Sequence, residues 1–194
     1  MVTDINDLDL SKRYTYADYL TWQFKERVEL IKGWIHKMSP APLDQHQRIS
    51  SALHGEIFHF FKRRGCQVRP APYDVRLLDR KKSTEDAQIF TVVQPDICVI
   101  CDSSKIDRRG CIGAPDWIIE ILSPGNSKTE MHDKYELYQE NGVKEYWIVQ
   151  PEHESILQFA LKGEQFTLVK MVSGDEEISP ALFPELKILL SEIF

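Results

Sequence analysis

The chain has 194 residues, enough for one domain with a complete hydrophobic core and short for two. Its 42% hydrophobic and 28% charged residues exclude a disordered chain, and no apolar run is long enough to span a membrane. The formal net charge of -6 lacks the basic balance of a typical nucleic-acid-binding domain. Positive charge nevertheless gathers at Lys62-Arg63-Arg64, Arg80-Lys81-Lys82 and Arg108-Arg109.

Met1-Val2-Thr3-Asp4 does not open like a secretory signal, so a cytoplasmic protein is expected, with Cys66, Cys98, Cys101 and Cys111 as free thiols. Cys98 and Cys101 form a C-x-x-C, but within an apolar strand-like run. Residues three apart on a strand point to opposite faces, which argues against a zinc pair.

In chain order, Thr15-Tyr16-Ala17-Asp18 has the form of a capping box and starts a short helix. Alternating segments at residues 27–31 and 34–38, joined by Lys32-Gly33, predict a hairpin. Asp44 is placed to cap a long helix through about Arg64, with Gln47 completing its capping box. Ile49, Leu53, Ile57 and Phe60 mark its core-facing stripe, and Gly65 its left-handed stop. Strands are predicted near residues 67–69, 73–78, 89–93, 96–101 and 116–122. A second long helix follows from about Ser127 to Asn141, with Ser127 and Glu130 as its capping box and Gly142 as its stop. Three more strands, near residues 144–149, 156–161 and 166–171, complete the set. With no repeat, low-complexity tract or linker, the expectation is a single α/β (α+β) domain over residues 1–194: a mixed sheet with two main helices.

Glu120 carries the most chemical information. It lies in Asp116-Trp117-Ile118-Ile119-Glu120-Ile121-Leu122, a run that reads as a strand buried on both faces. A carboxylate there must be neutral, ion-paired or metal-bound. Asp96 stands after Pro95 at the start of a second apolar run, and pairing of the two strands would bring Asp96 close to Glu120. Two such acids repel, and a divalent cation relieves the repulsion; an all-oxygen site suits Mg²⁺ or Mn²⁺ rather than zinc. Asp96 alone reads equally well as a turn residue. Lys134 falls within the apolar arc set by Met131, Tyr135 and Tyr138, so its ammonium is placed to reach the carboxylates. A surface pair with Glu130 at i, i+4 is the plain alternative.

Pro95-Asp96 followed by Glu120 in a later strand resembles the PD-(D/E)XK restriction-endonuclease-like superfamily. The wider text is similar to the Uma-two family of endonucleases. The matching stretches are Glu29-Leu30-Ile31-Lys32-Gly33, Met38-Ser39-Pro40-Ala41-Pro42 with His46-Gln47, and Gln94-Pro95-Asp96. They continue with Gly113-Ala114-Pro115-Asp116, Glu120-Ile121-Leu122-Ser123-Pro124, Lys134, Tyr138 and residues 142–149, so the likeness spans about residues 14–160. It departs where Leu122 replaces the superfamily's lysine two residues after the acid, a role the family moves to the following helix, at Lys134. Glu130 stands where Asp is expected, and Lys32 where the hairpin is usually Asp-Gly.

The resemblance implies a restriction-endonuclease-like fold, a central mixed sheet flanked by helices with extra strands toward the C-terminus. It implies metal-dependent hydrolysis of phosphodiesters, DNA foremost among nucleic acids, with Asp96 and Glu120 holding Mg²⁺ or Mn²⁺. Lys134 would orient water or stabilise charge. Glu29, as a third acid, and His46, touching phosphate or orienting Glu29, match further family positions. A homodimer would suit duplex cutting. Two rival readings are an inert nuclease-fold nucleic-acid-binding or interaction module, which the acidic charge favours, and a serine hydrolase using Ser123 and a histidine. The missing G-x-S-x-G elbow counts against the second.

Overall fold

The computed structural model describes residues 1–38, 43–80, 83–123 and 128–194, without the side chains of residues 128–130. Residues 39–42, the Ser127 start of the second long helix and the Glu130 side chain therefore lie outside the described residues.

α1 (Tyr16–Tyr19) begins at the Thr15–Asp18 capping box with both reciprocal bonds made. β1 (Val28–Ile31) and β2 (Trp34–Lys37) form the expected hairpin. Lys32 and Gly33, at φ 52° and 88°, give it the two left-handed residues of a tight hairpin turn. α2 (Asp44–Phe61) buries Ile49, Leu53, Ile57 and Phe61 along one stripe. Its start corrects the sequence reading: Leu43 keeps the extended conformation of the cap, and Asp44 is already helical with no capping bond from that position. An acid in the first turn still faces the positive end of the helix dipole.

The remaining elements are β3 (Gln67–Pro70), β4 (Val75–Leu77), β5 (Thr91–Val93), β6 (Ile97–Ile100), β7 (Ile106–Asp107), β8 (Gly110–Ile112) and β9 (Trp117–Ile121), then α3 (Lys128–Glu140). After α3 come β10 (Glu145–Gln150), β11 (Ser155–Lys162), β12 (Gln165–Ser173), β13 (Glu177–Ile178) and β14 (Ile188–Leu189). Sequence reading misses β7, β8, β13 and β14, which are too short to show a period.

One sheet runs β2-β1-β5-β4-β8-β7 and a second β12-β11-β10-β9-β6-β3, with β13 and β14 as a separate pair. Both larger sheets are mixed, because β9 lies parallel to β10 and β4 parallel to β8 among otherwise antiparallel neighbours. The two-residue period of β9 divides the core. Trp117, Ile119 and Ile121 pack with the α2 stripe, Trp147 and Val149. Ile118 packs on the opposite side with Leu137 and Tyr138 of α3, Tyr146, Ile148, and Val75 and Val93 of the first sheet. Glu120 shares the parity of Ile118, so it faces α3 and the first sheet.

The cysteines depart from expectation. Cys66 and Cys101 are joined in a disulfide, while Cys98 and Cys111 are free and buried. The cause is register: β3 pairs antiparallel with β6, Gln67 opposite Ile100, so the residues flanking that pair meet. Cys98 and Cys101 do diverge, each packing with a different core cluster. Among the described residues no helix is long and apolar enough to cross a membrane.

Glu145 is an acid whose burial the sequence does not announce. It is wholly buried and accepts hydrogen bonds from Trp147 Nε1 (2.7 Å), Gln158 Nε2 (2.8 Å) and the main-chain N–H groups of Ala181 (3.0 Å) and Leu182 (2.9 Å). It has the parity of Trp147, away from Glu120, and ties the C-terminal segment to β10. Glu145→Ala strands these donors, each worth about 1–3 kcal/mol when left unsatisfied. A loss of at least about 2 kcal/mol in urea unfolding is expected.

Candidate active site

The ends of β6 and β9 bring two acids together. Ile97 pairs with Ile119 in antiparallel register, and continuing that register by one residue sets Asp96 opposite Glu120. Asp96 is fixed by the main chain: its Oδ2 accepts the Ile121 N–H at 2.8 Å. The same oxygen lies 3.3 Å from His46 Nε2, presented by the first turn of α2.

Helix periodicity supplies the groups that meet Glu120. Lys134 and Tyr138 are one turn apart on α3 and so share a face. Lys134 Nζ lies 3.0 Å from Glu120 Oε1, and the Tyr138 hydroxyl donates to the same oxygen at 2.5 Å. Lys134 Nζ also reaches Glu29 Oε1 at 3.3 Å. Glu29 comes from the first sheet, where β1 is an interior strand between β2 and β5 rather than an edge. Its Oε1 also accepts the main-chain N–H of Gln94 at 2.8 Å.

Asp96, Glu120, Lys134, Glu29 and His46 therefore occupy one pocket at the junction of both sheets and both long helices. One expectation is corrected: His46 contacts Asp96, not Glu29. β1 delivers Glu29 to the lysine side of the pocket, while α2 stands on the Asp96 side. Sequence reading places Tyr138 on the apolar face of α3 and among the family-matching residues, but gives neither it nor Gln94 a chemical role. Tyr138 was within reach as a polar-tipped residue four positions after Lys134; the main-chain contact of Gln94 leaves no trace in residue type.

The pocket holds more acid than base. Glu29 and Glu120 are buried, as are the stem and head of Lys134, whose side chain is 11% exposed. Burial pushes the Glu120 carboxyl upward. The Lys134 ammonium opposes the rise, the charges of Asp96 and Glu29 add to it, and the Tyr138 hydroxyl bond also opposes it. Burial works to lower the Lys134 pKa, but Glu120 and Glu29 overcome it and hold the ammonium above its ordinary range. Burial likewise disfavours the His46 cation, yet the bond to Asp96 and that acid's charge raise it. Burial, then the charge of Glu120, keeps Tyr138 protonated as a donor.

The donor set fits a hard divalent cation. Among the described residues none donates a hydrogen bond to Asp96 Oδ1 or Glu120 Oε2. Among the described residues no three acid, imidazole or thiol side chains converge closely enough to bind an ion. Two carboxylates with further positions left to water or phosphate is how Mg²⁺ is commonly held.

A mixed sheet with Asp96 just before β6 and Glu120 in the neighbouring β9, and with a lysine supplied by the next helix, has the restriction-endonuclease-like fold. A solved structure described as a "putative nuclease belonging to DUF820", from Anabaena variabilis ATCC 29413, shares it with a TM-score of 0.70. It is 22% identical to this chain, and the match covers 93% of this chain and 97% of that one. The Uma2 family, described as "Putative restriction endonuclease", matches residues 16–191, and this chain belongs to that family. No curated protein matches it significantly.

Two substitutions test the electrostatics without reference to activity. Lys134→Met leaves buried carboxylates uncompensated and should cost about 3–5 kcal/mol in metal-free buffer. Tyr138→Phe removes one donor to a charged acceptor and should cost about 1.5–3 kcal/mol. Urea unfolding checks both. A change within about 0.5 kcal/mol for Lys134→Met would mean that it behaves as a solvated surface lysine.

Proposed function

We propose that this chain is a divalent-metal-dependent endonuclease that hydrolyses phosphodiester bonds in nucleic acid, with DNA as its substrate. The observation that carries this reading is the Lys134 ammonium, 3.0 Å from Glu120 in a pocket where Asp96 stands opposite Glu120. Membership of a family described as restriction endonucleases supports it.

Asp96 and Glu120 would hold Mg²⁺ or Mn²⁺, which polarises a phosphate oxygen and lowers the pKa of an attacking water. The chain's own residues do the positioning. Ile121 N–H and His46 fix the Asp96 carboxylate, and Tyr138 fixes that of Glu120. Glu29, buttressed by the Gln94 N–H, holds the Lys134 ammonium in the pocket rather than in solvent. Held there, Lys134 donates to the attacking water or to phosphate oxygens as negative charge builds on them, at no reorganisation cost. An inert binding module of the same fold is favoured by the net charge of -6. Such a module would not need a lysine buried against two acids.

Purified protein incubated with supercoiled plasmid should nick or cut it with Mg²⁺ or Mn²⁺ and not in excess EDTA. Glu120→Gln and Asp96→Asn should each be inactive, and Lys134→Met slowed about 10²–10³-fold, the loss typical of one transition-state donor. Cleavage in EDTA, or wild-type rates from Glu120→Gln, would overturn the proposal.

A further inference from the structure

A second concave surface borders the carboxylate pocket beyond Gln94. It is a groove of about 320 Å³ walled by Tyr19, Trp22, Phe24 and Gln94, with exposed Lys25 and Arg27 among its lining residues. That volume lies at the small end for pockets that hold an organic ligand. Trp22 and Phe24 stack with ring centroids 5.6 Å apart and planes at 30°, and Tyr19 lies 5.6 Å from Trp22. The inner side of this aromatic group serves the fold: Trp22 meets Tyr14 edge-on at 5.3 Å and packs near Ile5, Leu8 and Val28. All three rings remain only half-buried where they line the groove.

Gln94 joins this groove to the pocket. Its Oε1 accepts from Arg27 Nη2 at 2.7 Å, and its Nε2 donates to Asp74 Oδ1 at 2.8 Å, so the amide is locked. Its main-chain N–H holds Glu29 at 2.8 Å. One residue thus forms a wall of the groove and secures a carboxylate of the pocket.

We infer that the groove receives an unstacked nucleobase from a single-stranded segment flanking the bond to be cut, with the adjoining phosphate against Arg27 and Lys25. The inference rests on the nuclease reading and extends it to substrate class. Aromatic faces with cations along one edge are how single strands are gripped without sequence preference. A base inside a duplex keeps both faces on its neighbours and has none to offer these rings. Glu26 lines the same groove and offsets part of the cationic charge, so stacking is the larger share of the grip. The chain should accordingly favour frayed, flapped or single-stranded substrates over continuous duplex.

Binding can be measured in EDTA, apart from cleavage, with a short oligothymidylate as the probe. Trp117 and Trp147 are buried, so in a Trp34→Phe background the fluorescence response to the probe reports on Trp22. The probe should quench this signal, and a duplex of equal length should bind at least about tenfold more weakly. Phe24→Leu, which keeps apolar bulk but loses the π face, should raise Kd about fivefold or more, and Phe24→Tyr should restore it. Unchanged binding by Phe24→Leu, with plasmid cleavage by the wild type intact, overturns the groove and leaves the nuclease reading standing. Metal-dependent cleavage absent from the wild type overturns the reading on which the groove depends.

Discussion

One ammonium group organises this molecule's interior. Lys134 enters a pocket that already contains Glu29, Glu120 and Asp96, and its Nζ lies within 3.3 Å of the first two. Burial makes the Glu120 charge costly there, and the charges of Asp96 and Glu29 add to that cost. The lysine offsets much of that cost, and in doing so ties together elements that share no strand pairing. α3 is held over the second sheet, and the β1–β2 hairpin of the first sheet is drawn against it. Removing the charge would loosen both attachments while leaving the hydrophobic clusters intact.

The pocket sits where two periodicities coincide. The alternation of β9 turns Glu120 away from the α2 core, and the four-residue step of α3 stacks Lys134 and Tyr138 over it. Asp96 arrives through register, because β6 runs antiparallel to β9 and Asp96 and Glu120 each lie one residue beyond the last pair, Ile97 and Ile119. None of these side chains depends on a long flexible loop for its position. That suits chemistry in which groups must already be aimed before charge develops. The groove beyond Gln94 belongs to the same arrangement, since the residue that forms its wall also holds Glu29.

Much of this was legible in residue order. A glutamate inside an unbroken apolar strand and a lysine inside the apolar arc of the next helix both break local pattern, and both mark the pocket. Expected strands for residues 67–69, 96–101 and 116–122 lie within two residues of β3, β6 and β9. What the sequence could not show depends on register and distance in the folded chain. The Cys66–Cys101 bond follows from the pairing of β3 with β6, which spacing alone does not specify. His46 pairs with Asp96 because α2 crosses that end of the sheet, a matter of packing rather than periodicity. Glu145 looks as available for chemistry as Glu120 from its position in Lys144-Glu145-Tyr146-Trp147. Only its parity and its hydrogen bonds place it in the structural core.

The central proposal is that the acids around Lys134 form a cation site. Calorimetric titration of Mn²⁺ into the protein tests it most directly. One ion per chain should bind the wild type, binding should disappear when Asp96→Asn and Glu120→Gln are combined, and Lys134→Met should bind at least as well as the wild type, since a competing cation is gone. No binding by the wild type, or undiminished binding by the double variant, would contradict the account.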